Sequence, residues 1–182
     1  MRDFTNDINA ALATDATIHR ETVVQWIDSA TDLRTLSRLY RLTDEGYHRI
    51  QPELGKAITC ALIQRYLLEC IRQDVQDDDE IESRFIACMS LVSWFHHLLD
   101  EGNSSGVIAG AAHAITDLYL EREDVRYTIE TSFLEHALET AALRPYFEHW
   151  SRDERLQEAW KLCVEWGEAH PDHMRTMFRQ RG

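Results

Sequence analysis

Residues 53–73 read ELGKAITCALIQRYLLECIRQ, and this stretch decides the fold. Leu54, Ala57, Ile58, Ala61, Leu62, Leu68 and Ile71 recur at about 100° per residue and fall on one side of a helix. Cys60, Ile63, Tyr66, Leu67 and Cys70 occupy much of the remaining surface. A helix that is apolar nearly all round is covered on several sides, so other helices must pack around it.

Toward the N-terminus the pattern stays helical. Phe4, Ile8, Ala11 and Leu12 mark one short helix, and Val23, Val24, Trp26 and Ile27 a second. Thr31-Asp32 is a start signal, because a short oxygen-bearing side chain accepts from the free N–H groups of a first turn. Leu33, Leu36, Leu39 and Tyr40 supply the stripe of the helix it opens, and Gly46 and Pro52 break the chain before residue 53.

Toward the C-terminus, the run Asp74 to Glu80 reads as a connector and as the acidic start of a helix from about Asp79 to Glu101, where carboxylates suit the positive end of the helix dipole. Ile81, Phe85, Cys88, Met89, Val92, Phe95 and Leu99 form one stripe of that helix, and Ala87, Leu91, Trp94 and Leu98 a second. Gly102 is placed as its stop. Small residues over 107–120 allow close packing, Asp124 opens another helix, and Ser151-Arg152-Asp153-Glu154 matches a capping box. Trp150, Trp160 and Trp166 gather with Tyr146, Phe147 and Phe178 into a second aromatic region, and Pro171 begins a terminal helix. The expectation is a single all-helical domain over residues 1–182. It is an all-α, irregular multi-helix bundle of about 8–10 helices. A degenerate α-α repeat stack is the alternative, although no fixed repeat is visible.

Charge narrows the function. Residues 73–150 hold 16 acids and 4 bases, against 16 acids and 15 bases elsewhere, so one window carries nearly all of the net −13. A contact with nucleic acid requires the opposite sign. Cys60, Cys70, Cys88 and Cys163 lack C-x-x-C spacing and sit in apolar contexts, as reduced core thiols do. With no apolar run after Met1 and no stretch long enough to span a bilayer, a soluble cytoplasmic protein without membrane contact is expected.

Two groups of residues are candidates for chemistry or contact. His96/Asp100 and His113/Asp117 are each i, i+4 pairs, and with His136 they offer imidazole and carboxylate ligands for one metal. Glu-x-x-His and His-Glu-x-x-His are absent, as is a P-loop, so no catalytic residue and no cofactor is assigned. For a partner surface the candidates are Trp94, Glu101, Asp117, Glu121 and Asp124. The reading preferred is a non-enzymatic interaction or regulatory protein, inhibitor-like, adaptor-like or mimicking the charge of DNA, that meets a basic protein partner through steering by its negative field. A helical metal or small-molecule binder is the first alternative. The second is a homodimer joined through Leu91, Trp94 and Leu98.

Overall fold

The computed structural model describes residues 4–76 and 78–181; Asp77 of the acidic run and the side chain of Phe178 lie outside the described residues. The fold is all-α and multi-helical. Its contacts form two compact units, residues 1–70 with 75–83, and residues 71–74 with 84–182.

The first unit contains α1 (Thr5–Leu12), α2 (Arg20–Ser29), α3 (Leu33–Glu45) and most of α4 (Lys56–Gln73). A two-residue parallel pairing joins β1 (Ile18–His19) to β2 (Ile50–Gln51), with Ile18 opposite Ile50. Asp32 caps α3 as expected: its carboxylate accepts the Thr35 N–H at 2.9 Å and the Thr35 hydroxyl at 2.7 Å. Leu36, Leu39 and Leu42 of α3 are buried with Leu62, Tyr66 and Leu67 of α4. The Tyr40 and Tyr66 rings stack at 4.6 Å.

The acidic run behaves differently from the expectation. The next helix, α5 (Arg84–Glu101), begins well after Asp79, so the acids do not occupy its first turn. They turn back on α3 instead. Asp78 pairs with Arg34 at 2.5 Å, Glu80 pairs with Arg38 at 3.0 Å, and the Ser37 hydroxyl donates to the Glu80 carbonyl. The Glu82 N–H is taken by the Tyr66 hydroxyl at 3.1 Å. Two guanidiniums one turn apart on α3 bind this connector more directly than a helix dipole would, since the dipole acts only within the first turn.

The second unit continues with α6 (Ser105–Glu121), α7 (Arg126–Ile129), α8 (Glu135–Leu138), α9 (Arg144–Phe147), α10 (Gln157–Ala169) and α11 (His173–Arg181). Gly102 ends α5 at φ +81°, a conformation open to glycine. A π-helical turn, Glu130–Leu134, links α7 to α8. Phe95, Phe133, Phe147 and Trp150 are fully covered and meet ring against ring at 5.4–6.3 Å; of the residues expected to gather near the C-terminus, Phe147 and Trp150 join this core, whereas Tyr146 and Trp160 are half-buried. Trp166 stands apart from it, partly exposed and stacked on His170 at 4.1 Å.

Two local expectations are corrected. Phe85, assigned to the core stripe of α5, is 55% exposed, whereas Trp94 of the second stripe is 8% exposed and edge-on to Phe95. The capping box is also absent: the Ser151 hydroxyl donates to the Glu148 carbonyl, Asp153 accepts the Arg155 N–H at 2.9 Å, and α10 starts at Gln157. The Asp153 carbonyl accepts from the Leu156 and Gln157 N–H groups, both at 2.9 Å, so Asp153, and not Ser151, leads the chain into α10. Among the described residues no helix is long and apolar enough to cross a membrane.

Candidate functional site

A buried polar group forms in the second unit where α11 meets α5 and the end of α8. Thr140 follows α8 and is buried, and its hydroxyl donates to Asp172 Oδ1 at 2.7 Å. His96 Nε2, from α5, lies 3.2 Å from the same hydroxyl oxygen. A hydroxyl has one proton, and this one goes to Asp172, so His96 Nε2 carries the hydrogen and donates to Thr140. Burial, reinforced by the Arg175 guanidinium, pushes His96 down to about 4 despite the carboxylates of Asp172, Glu139 and Asp100, and keeps the ring neutral.

Glu139 completes the group. Its side chain is 1% exposed, and it accepts from Met174 N–H at 2.7 Å and faces His136 Nδ1 at 2.9 Å. The Glu139 carbonyl also accepts the Asp172 N–H at 3.3 Å. Asp172 sits at φ +52°, a left-handed conformation that a short polar side chain tolerates. Arg175 donates to Asp100 on α5.

Three of the five metal candidates, His96, Asp100 and His136, therefore belong to one network. Glu139, Thr140, Asp172 and Arg175 join them there and were not anticipated. The Thr140 hydroxyl donates its hydrogen bond to Asp172 and lies against His96, so the set ties α5, the end of α8 and the start of α11 together. Thr140, Glu139 and His96 are all within 5% of complete burial. Among the described residues no three His, Cys, Asp or Glu side chains are placed to hold a metal ion.

His113 and Asp117 form a separate group on α6. The His113 ring stacks on His149 at 5.1 Å with the planes 8° apart, and its Nδ1 is held by the Ala109 carbonyl at 2.8 Å. His149 Nε2 lies 3.0 Å from the Thr116 hydroxyl, which also receives the Trp150 indole N–H at 2.7 Å. Burial, and next the neighbouring His113, lower the affinity of His149 for a proton. All four cysteines are buried, and burial pushes the Cys70, Cys88 and Cys163 thiols up to about 12, away from the thiolate that would react.

Of the contact candidates, Glu101 pairs with His97 at 3.4 Å, Glu121 with Arg72 at 3.4 Å, and Asp124 with Arg84 at 3.0 Å and Arg122 at 2.8 Å. Asp117 is exposed on the same face of α6 as Glu121. Trp94 is covered, as are Leu91 and Leu98, so the face assigned to self-association is part of the interior of this unit. Comparison of the chain with protein-family models, curated proteins and solved structures found no match.

Proposed function

We propose that the protein is a non-enzymatic binding protein that offers an acidic helical surface to a basic protein partner. The observation that carries this reading is a charge imbalance that internal pairing does not remove. With 32 acids against 19 lysines and arginines, a net excess of 13 negative charges remains however the pairs are drawn. Asp117 and Glu121 share an exposed face of α6, and the exposed Glu123 and Asp124 follow directly. The Arg72–Glu121 pair is solvent-accessible on both sides, and such pairs are worth only about 0–1 kcal/mol, so a partner's lysine or arginine displaces it at small cost. A field of one sign accelerates encounter with a basic surface and repels nucleic acid.

The test uses immobilised protein and cell extract at low ionic strength, with release at ~0.5 M salt, where charges are screened within a few ångströms. A basic protein retained by the wild type and lost by the Asp117→Lys/Glu121→Lys variant is the expected result. Recovery of no salt-released protein, or equal recovery by the variant, overturns the reading.

A further inference from the structure

The outward side of α10 carries an apolar stripe with acids along its borders. Leu162 is 56% exposed and Trp166 40% exposed, and at i, i+4 they lie one above the other, with the exposed Ala169 completing the stripe. The indole is held in place. Its ring stacks on His170 at 4.1 Å, and His170 Nδ1 donates to the Trp166 carbonyl at 2.9 Å. Beyond Ala169 the stripe opens into a cleft of about 520 Å3 at the junction of α10 and α11, with Pro171 and Met177 in its wall. Glu158 and Glu165, both exposed, follow one border of the stripe. On the other border Cys163 Sγ lies 3.8 Å from the Glu130 carbonyl, and after burial it is the Glu135 and Glu130 carboxylates that raise this thiol. Arg155 is engaged by Asp153 at 2.7 Å, and Lys161 pairs with Glu165 at 3.8 Å, weakly because both side chains are exposed.

We propose that this face of α10 docks a basic amphipathic helix from a partner protein. Such a helix, laid along α10, sets apolar residues at i, i+3 and i+4 against Leu162 and Trp166 and places one further side chain in the cleft. The lysines or arginines that flank its apolar stripe then meet Glu158 and Glu165 on one side and Glu130 and Glu135 on the other. Glu158 to Ala169 spans about 17 Å, roughly three turns of the incoming helix. The sign of both borders disfavours an acidic helix, and a tryptophan already fixed by its histidine loses little freedom on contact. Binding at α10 does not depend on the acidic face of α6.

Fluorescence anisotropy on the full chain tests this with a labelled helical peptide of about 18 residues, leucine at i, i+3, i+4 and i+7 and lysine elsewhere. Saturable binding with Kd below ~100 μM is expected, and a peptide with glutamate in place of lysine should not bind at ~1 mM. Leu162→Ser/Trp166→Ala and Glu158→Lys/Glu165→Lys should each weaken binding by about tenfold or more. All four positions are exposed, so circular dichroism should show an unaltered fold. Asp117→Lys/Glu121→Lys, the variant that tests the α6 surface, should change the affinity by less than about threefold, which separates failure at one surface from failure at the other. No saturation by the lysine peptide, wild-type affinity in either α10 variant, equal binding of the glutamate peptide, or a dimer in sedimentation that Trp166→Ala dissolves, overturns the proposal.

Discussion

Glu139 Oε2 accepts the backbone N–H of Met174 at 2.7 Å, so a buried carboxylate from the end of α8 holds the first turn of α11. That turn has N–H groups without an intrahelical acceptor and a positive dipole, and a carboxylate answers both. Glu139→Ala leaves Met174 N–H unmatched in a covered site and should cost about 2–3 kcal/mol, with Glu139→Gln costing roughly half as much. Hydrogen exchange should quicken through residues 173–181 before any change in α5. Wild-type exchange rates across α11 in Glu139→Ala would show that other contacts hold the helix.

His96 gives this part of the molecule a pH dependence of definite sign. Its proton affinity is pushed down to about 4 in the fold from 6.5, chiefly by burial and next by Arg175, against the pull of Asp172, Glu139 and Asp100. Below 6.5 the unfolded chain takes up a proton that the folded chain refuses. The stabilisation is complete above pH 6.5 and is lost as pH falls toward about 4, by on the order of 3 kcal/mol for this group. His96→Gln keeps a donor toward Thr140 and cannot titrate. Urea midpoints at pH 7, 6 and 5 should therefore fall less steeply in the variant than in the wild type, and parallel slopes would remove His96 as the cause.

Gly167 shows where close packing sets a stability limit. A Cβ there would stand 2.4 Å from the Leu138 carbonyl oxygen and 2.8 Å from Glu139 N, both backbone atoms of the neighbouring segment. Backbone cannot rotate aside as a side chain does, so Gly167→Ala must separate α10 from α8 and should cost roughly 2–3 kcal/mol. Gly110 in α6 is the control. Nothing lies within 4 Å of its added Cβ, and Gly110→Ala should gain up to about 1 kcal/mol from helix propensity. Thermal midpoints moving in opposite directions verify the pair of effects.

Local signals in the sequence were readable where a residue acts on its own neighbours. Asp32 caps α3 and Gly102 stops α5 because each does so within one turn of chain. The acidic run carries no such local signal, because its partners, Arg34 and Arg38, lie more than 40 residues away. The same holds for the polar group around Thr140. Helical spacing joins His96 to Asp100 and His113 to Asp117, yet it carries no information that α11 brings Asp172 and Arg175 to the first pair while His149 stacks on the second. The buried Glu139-Thr140 step had a faint signal, an acid beside a hydroxyl at the end of an apolar helix, but the same pair at a surface reads identically.

The two stripes of α5 offer the sharpest contrast between pattern and packing. Phe85 and Trp94 are both large and aromatic, and a helical wheel gives no rule for which of two apolar faces is covered. In the fold Phe85 is 55% exposed and Trp94 is 8% exposed. Phe85→Asp should change stability by less than about 0.5 kcal/mol, because it removes little covered surface and strands no charge. Trp94→Asp combines lost burial with a carboxylate placed against Phe95 and should cost more than about 3 kcal/mol. Were Trp94 instead a contact between two copies of the chain, its replacement would halve the mass in sedimentation and leave the monomer's urea midpoint intact. The expected result is the reverse, an unaltered mass for whatever remains folded and a collapse of the midpoint, with Phe85→Asp matching the wild type in both.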